Sequence, residues 1–266
     1  MATYALSDIH GQGDLLDEVL NFLKEDDVLY FLGDACDRGN DNLYCMQTLL
    51  KDKRVIYLKG NHEDFFRIII SQILNDDFTN VQHWAQNGGR LTMEEALDLT
   101  YNDLINLLYD IDKLPLVETY INQYGQKILL SHAGFTPDWL WNNTTTEKDK
   151  KWNYIWDRQH IKDINWDGSN GTEEVIIVHG HTPVQHLSIE GVELLEKNAF
   201  PVCYSKGHKF DIDLGAFYTE ETCLLNLDDF STIKFKREKN KEISITKVDS
   251  IKTEIIIPEF IYSWEV

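Results

Sequence analysis

No part of this 266-residue chain runs uncharged and apolar for anything near the roughly 20 residues a membrane-crossing helix needs. A spanning helix is therefore excluded and no membrane partner is expected. The opening residues, Met1-Ala2-Thr3-Tyr4-Ala5-Leu6, show no basic or apolar leader and pass straight into a motif. That speaks against a secretory signal. Cysteine is scarce: Cys36, Cys45, Cys203 and Cys223 are scattered and form no Cys-x-x-Cys pair. They read as reduced, structural thiols of a cytoplasmic protein, not as a zinc knuckle or a disulfide framework. Basic residues are in deficit, 25 Lys and Arg against 45 Asp and Glu, for a net charge of −20. Such a surface repels polyanions, so nucleic acid is not expected as a partner. Internal repeats, low-complexity tracts and clear linkers are also missing. What is present is a chain with 42% hydrophobic residues and 12% aromatic residues. It can bury a sizeable core without a disulfide or metal staple. Its length fits one large domain, or a core with an appendage.

Periodicity organises the first third. Val28–Leu32 and Arg54–Leu58 are short apolar runs, each ending at a glycine, and predict buried strands. Between them, Leu15, Leu16, Val19, Leu20 and Leu23 define one helical face. Leu43, Met46, Leu49 and Leu50 define the next, with Asp41 as its N-cap. A further helix is expected from about Asp64, burying Phe65, Ile69 and Ile73. The alternation β-α-β-α-β-α implies right-handed crossovers and a largely parallel sheet. Thr92 with Glu95 has the form of a capping box opening a helix that runs to about Tyr109. Leu116–Ile121 and Lys127–Ser131 flank a turn through Asn122-Gln123-Tyr124-Gly125, which reads as a hairpin. Glu174–Val178 and Cys223–Leu227 are further strands. From about Ser231 the tail alternates around Lys236-Arg237-Glu238-Lys239-Asn240-Lys241, predicting a hairpin with a solvated basic turn and then an extended arm. The division expected is 1–230 as the catalytic domain and 231–266 as a β-rich extension packed on it.

Three segments each follow an apolar strand and precede a helix: Ser7-Asp8-Ile9-His10-Gly11, Gly33-Asp34-Ala35-Cys36-Asp37-Arg38-Gly39 and Gly60-Asn61-His62-Glu63. All three fall at the carboxyl edge of one sheet, where open α/β sheets bind ligands. Adjacent parallel strands would bring Asp8, Asp34 and Asn61 together. His132 in Ser131-His132-Ala133-Gly134 and His181 in Val178-His179-Gly180-His181-Thr182-Pro183 also lie just past apolar strands. Mixed oxygen and nitrogen donors of this kind suit Mn, Fe, Zn or Ni better than Ca or Mg. Asp34, on the central strand, is best placed to be shared between two ions. Two ions about 3.5–4 Å apart can clamp a phosphoryl group and activate a bridging water.

In order and spacing, Asp-x-His-Gly, Gly-Asp-x-x-Asp-Arg-Gly, Gly-Asn-His-Glu, the His132 segment and Gly-His-Thr resemble the phosphoprotein phosphatase family of calcineurin-like metallophosphoesterases, from about Ala2 to Gly215. Trp84-Ala85-Gln86-Asn87-Gly88-Gly89, followed by Thr92, and the Gly-His-Thr-Pro form resemble its bacterial and phage serine/threonine phosphatase branch. The resemblance implies an α/β sandwich of two mixed sheets flanked by helices, with a dimetal site at the strand C-terminal edge. It implies that Asp8, His10 and Asp34 hold one metal, and Asp34, Asn61, His132 and His181 the other, with manganese the leading candidate. His62 would protonate the leaving group, oriented by Asp37. Arg38 and Arg158 would bind the phosphate oxygens.

Plainer readings stand beside these. Asp8, Asp34 and Asn61 could be turn or cap residues, and Arg38 and Arg158 structural ion-pair partners. His179 is expected to be structural, Cys36 to pack, and Asp211 and Asp213 to close the site or merely end a strand. His83, His160, His186 and His208 have no supporting motif. Trp139, Trp141, Trp152 and Trp156 are either the wall of a substrate groove or a structural cluster. The expected reaction is hydrolysis of a phosphomonoester by a metal-bridging hydroxide, on a phosphorylated protein or a small phosphoester. A serine/threonine protein phosphatase leads. The alternative is a symmetrical dinucleoside polyphosphate hydrolase, whose relatives tend to lose the acid at Asp37 and carry Asp at Glu63. A non-catalytic phosphate-binding module would be expected to have lost donors, and none is missing here.

Overall fold

Side chains alternate in direction along a strand, and this alternation assigns the leading strands to two separate cores. In the computed structural model, residues 1–135, 146–163, 165–170, 173–187 and 200–248 are described. The chain begins β1 (Thr3–Leu6), α1 (Gly13–Phe22), β2 (Val28–Phe31), α2 (Asn42–Lys51), β3 (Val55–Tyr57) and α3 (Asn61–Ile73). Leu6, Leu29 and Phe31 face the helices, packing with Leu16 and Val19 of α1, Met46 of α2 and Phe66 and Ile69 of α3. Ala5, Tyr30 and Leu32 point the other way, into a second core. The three strands are parallel, with Ala5 opposite Tyr30 and Tyr30 opposite Ile56, so β2 is central as predicted.

Next come α4 (Val81–Trp84), a wide turn over Ala85–Gly89, α5 (Arg90–Leu97) and α6 (Tyr101–Asp112), then the hairpin β4 (Val117–Ile121) and β5 (Lys127–Ser131). They are followed by α7 (Glu147–Ile155), α8 (Gln159–Lys162), β6 (Ser169–Asn170), β7 (Glu173–His179), β8 (Val202–Tyr204), β9 (Lys209–Asp211) and α9 (Ala216–Thr219). The last described elements are β10 (Glu221–Asn226), β11 (Thr232–Arg237) and β12 (Ile243–Val248). Among the described residues, one mixed sheet has the order β12-β11-β10-β1-β2-β3 and the other β4-β5-β7-β9-β8. Ile128, Leu130, Ile176, Val178 and Phe210 of the second sheet meet Ala5, Tyr30, Leu32 and Leu225 of the first. The fold is thus an α/β sandwich of two mixed sheets flanked by helices. The residues 232–248 continue the first sheet through two antiparallel pairings. The extended arm expected beyond them lies outside the described residues, as do Trp139 and Trp141. No described helix is long and apolar enough to cross a membrane.

Three local expectations are corrected. The helix expected near Asp64 begins at Asn61, so the third motif forms its first turn. It buries Phe66, Ile69 and Ile70, while Phe65 and Ile73 are only partly covered. Asp41 occupies the N-cap position of α2 without a side-chain cap. Glu95 takes that role from another helix, accepting from the Leu43 N–H at 2.7 Å and the Asn42 side chain at 2.8 Å. Thr92 and Glu95 therefore form no capping box. The helix containing them stops at Leu97, and α6 is capped by Thr100, which accepts from the Asp103 N–H.

The inter-sheet core should carry much of the stability. Leu130 is fully buried there, so Leu130→Ala is expected to cost about 3 kcal/mol in urea unfolding. A loss below about 1 kcal/mol would mean the two sheets do not share a packed core.

Candidate metal centre

The carboxyl ends of β1, β2 and β3 and the turns after β5 and β7 deliver their side chains to one place. Asp34 is at its middle. Its Oδ2 lies 3.7 Å from His10 Nε2, 3.8 Å from His62 Nε2 and 3.3 Å from His132 Nε2. Asp8 Oδ1 is 3.9 Å from His10 Nε2, and Asp8 Oδ2 accepts the His181 backbone N–H at 2.9 Å. Asp8, His10, Asp34, Asn61, His62, His132 and His181 are all buried.

The hydrogen bonds on the far side of the rings fix which nitrogen faces inward. A backbone carbonyl can only accept. His10 Nδ1–H therefore donates to Cys36 O (2.8 Å), His132 Nδ1–H to Leu32 O (2.8 Å) and His181 Nε2–H to Trp156 O (3.2 Å). In a neutral ring each inner nitrogen is left with a lone pair. His132 Nε2 then stands 2.8 Å from Asn61 Oδ1, 3.1 Å from His181 Nδ1 and 3.3 Å from Asp34 Oδ2. With the rings neutral, four electron-rich atoms crowd one point, and only a proton on His132 Nε2 or another cation relieves them. In the second group, His10 Nε2 faces Arg38, whose Nη1 approaches to 2.6 Å as a stand-in cation. An imidazole tied at its outer N–H to a carbonyl is the usual setting of a metal ligand. The donor set fits divalent ions of the transition series.

The electrostatics agree. Although burial favours neutral His132, Asp34 and Asp8 push its pKa up to about 9. Burial lifts the Asp8 carboxyl to about 6, with repulsion from Asp34 adding to it. Burial also opposes ionisation of Asp34, but the surrounding imidazoles, His132 foremost, outweigh it and hold that carboxyl well below its ordinary value. His10 and His181 are held neutral by burial, with Arg38 and His132 respectively adding to the effect. The pocket thus asks for positive charge at its centre.

The backbone is strained to achieve this. Asp8, His10, Asp34, Asp37, Arg38 and His181 all have φ between 44° and 70°. That left-handed region costs a non-glycine residue about 1 kcal/mol or more and collects at functional sites. Two glycines permit the close approaches. A Cβ on Gly60 would lie 2.2 Å from Asp34 Oδ1, and one on Gly180 2.1 Å from Asp8 Oδ2.

His62 and Asp37 form a second unit. His62 Nδ1 donates to Asp37 Oδ2 at 2.6 Å, and that carboxylate also accepts from Trp84 Nε1 (2.8 Å) and Thr92 Oγ1 (2.5 Å). Burial disfavours the charged ring, yet Asp34 and the Asp37 hydrogen bond raise the His62 pKa above its ordinary value. Arg38 is exposed, and its Nη2 is 2.9 Å from His62 Nε2. Arg158 bonds Thr182 Oγ1 at 2.9 Å and His181 O at 3.5 Å, within the field of Asp34 and Asp8. His179 bonds the Tyr204 hydroxyl and Gly180 O. Cys36 packs in the core and contributes only its carbonyl. Asp213 is buried and accepts from the Gly215 N–H, while Asp211 accepts from the Asp213 N–H. His160 is buried, with Nε2 donating to Ala133 O, and His208 pairs with Glu174 at the surface.

With this geometry in hand, residues 1–212 match the calcineurin-like phosphoesterase family. The chain belongs to that family. It is similar to a symmetrical bis(5'-nucleosyl)-tetraphosphatase of Wigglesworthia glossinidia brevipalpis, 27% identical over 156 residues, 56% of this chain and 51% of the relative. A protein of the same name from Buchnera aphidicola subsp. Acyrthosiphon pisum is 32% identical over 145 residues, 52% of this chain and 46% of the relative. The chain spans about half the length of the curated relatives it matches. Among solved structures, a mutant cold-active protein tyrosine phosphatase shares the fold, with a TM-score of 0.50, 18% identity and coverage of 91% of this chain and 79% of the other.

Several supports of this phosphoesterase site escaped the sequence reading. Glu63 Oε2 accepts from the Asp34 and Gly60 N–H groups (2.8 and 2.7 Å), and its Oε1 from the Ala35 N–H and Tyr57 hydroxyl (2.7 and 2.8 Å). Thr92 and Trp84 hold Asp37, and Phe217 lies under Arg38. Glu63 was visible as a motif position; Phe217 gave no signal. A glutamine at 63 would turn an amide N–H against backbone donors. Glu63→Gln is therefore expected to lower stability by about 3 kcal/mol in denaturant titration. A loss under about 1 kcal/mol would show that the clamp does not hold the Asp34 turn.

Proposed function

We propose that the chain is a metal-dependent phosphoester hydrolase acting on a symmetrical dinucleoside polyphosphate. The single observation that carries the hydrolase reading is the convergence of the inner nitrogens of His10, His132 and His181 around the Asp34 carboxylate. Asp8, His10 and Asp34 would hold one divalent ion, and Asp34, Asn61, His132 and His181 a second, with manganese the first to try. When bound, such ions supply an activated water at neutral pH and offset phosphoryl charge. By distance alone His62 could replace Asp8 beside His10 and Asp34. We favour the acid role for it, because its Nδ1–H is committed to a buried carboxylate and its pKa is raised.

The remaining residues act on the substrate. Arg38 and Arg158 would bind non-bridging oxygens as guanidinium forks. Drawing Arg38 onto a phosphate frees His62 Nε2, which can then carry a proton toward the leaving oxygen while Asp37 fixes the ring. The names of the curated relatives support the dinucleotide substrate, at 27–32% identity over about half their length. One observation favours a serine/threonine protein phosphatase instead: the retained His62–Asp37 pair. An alkoxide leaving from a phosphorylated side chain needs an acid far more than a nucleotide phosphate does.

Turnover of diadenosine tetraphosphate, a phosphopeptide and an aryl phosphate, measured side by side in manganese and in chelator, separates these readings. The dinucleotide is expected to be fastest, and chelator to abolish all three rates. A faster phosphopeptide would overturn the substrate assignment, and equal rates in chelator the dependence on metal.

The acid role has its own check. His62→Asn is expected to slow an alkyl phosphate about a hundredfold, and an aryl phosphate less than tenfold, since only the former leaving group needs the proton. Equal losses would place His62 among the ligands.

A further inference from the structure

Two indoles next to the centre have no part in the hydrolytic roles assigned above. Trp152 on α7 and Trp156 at its C-terminal cap stack with ring centroids 5.5 Å apart and planes inclined by only 14°. Trp156 is built into the centre. Its carbonyl accepts from His181 Nε2, its ring is edge-on to His181 at 6.3 Å, and Phe65 packs against it at 5.0 Å. Phe65 in turn lies edge-on to His62 at 6.0 Å. The indole pair is therefore linked by direct ring contacts to a proposed metal ligand and to the proposed proton donor.

Trp152 differs from Trp156 in being 57% exposed. One of its faces is covered by Trp156, so the exposed area belongs to the opposite face and the edge. An indole held rigid by a stacked partner and left open on its other face loses little entropy on binding a second flat ring. Phe217, also beside the pocket, is more enclosed, with the His10 ring edge-on to it at 5.7 Å. The Arg38 guanidinium lies 4.9 Å over its ring, and Tyr218 packs on its edge at 4.8 Å.

We propose that Trp152, backed by Trp156, is the stacking platform for a nucleobase of the substrate. This rests on the dinucleotide reading above and deepens it, by naming what recognises the base. The occupant follows from the chemistry. An indole face attracts cations as well as planar heterocycles, but a ligand delivered to the lone pairs and guanidinium groups of this pocket brings phosphates with it. A planar heterocycle joined to phosphates satisfies both the platform and the pocket. Stacking tolerates any base, so the platform should prefer nucleotides over other phosphoesters without choosing strongly between purines.

Wild type, W152A and W152F should be assayed in manganese with diadenosine tetraphosphate and with glycerol 2-phosphate, which lacks a base. In W152A the KM for the dinucleotide is expected to rise about tenfold, with W152F recovering most of it. The ratio of kcat/KM for the dinucleotide to that for glycerol phosphate should fall by the same factor, through KM and not kcat. An unchanged ratio, whether both activities persist or both fall together, would overturn the platform alone. A wild-type enzyme that hydrolyses glycerol phosphate but not the dinucleotide would overturn the dinucleotide reading and the platform with it.

Discussion

Three imidazoles give their outer N–H groups to backbone carbonyls, and everything else at this site follows from that arrangement. Cys36 O, Leu32 O and Trp156 O take those hydrogens, so the inner nitrogens of His10, His132 and His181 face the centre and each offers a lone pair when its ring is neutral. Without cations such a cluster is unfavourable, because burial strips carboxylates and imidazoles of water and mutual repulsion adds to the cost. The fold offsets this with hydrogen bonds aimed at the turns. Four donors on Glu63 pin the Asp34 turn to Gly60, and the His181 N–H anchors Asp8. The left-handed backbone at Asp8, His10, Asp34 and His181 is the strain that remains.

Packing between the sheets and geometry at the site are one problem. Asp8, Asp34 and Asn61 come from the first sheet, and His132 and His181 from the second. The two sets meet only if the sheets pack in one register. The inter-sheet core of Ala5, Tyr30 and Leu32 against Ile128, Leu130 and Val178 sets that register. Leu32 joins the two roles: its side chain packs in this core while its carbonyl orients His132. A change of a methylene in that core would move one of these side chains, because close-packed interiors transmit small displacements.

The first half of this arrangement was legible in the sequence because its signals are local. Apolar strand runs ending in glycine, followed by helical spacing, mark β1–α1–β2–α2–β3–α3, and the motifs fall at the strand ends. The failures share a cause. Thr92 and Glu95 carry the local form of a capping box, but tertiary contacts claimed both: Thr92 bonds Asp37 and Glu95 caps α2. Asp41 lost its cap to the same Glu95. No periodicity foretells such contacts between residues about fifty positions apart. The order of the second sheet was likewise hidden, since β8 and β9 have three residues each and carry too little pattern to reveal their neighbours. Phe217 gave no signal because an aromatic under an arginine looks like any other aromatic in sequence.

The net charge of −20 bears on how an anionic substrate could be held at all. At physiological salt the field of surface charge dies away within about 8 Å, so the acidic exterior slows approach without deciding affinity inside the pocket. There, under the proposed function, the balance would belong to short-range groups: ions held by the proposed ligands, and the guanidinium groups of Arg38 and Arg158. A longer phosphate chain would extend past these cations, and each added phosphate would gain less. Affinity for a large nucleotide then has to come from contacts indifferent to charge. The exposed indole stacked on Trp156 would be such a contact under the proposal above, its worth set by the area of flat ring it covers. An acidic chain that binds polyphosphates is thus expected to recognise the uncharged ends of its substrate with aromatic rings, and to reserve its few cations for the phosphate being cleaved.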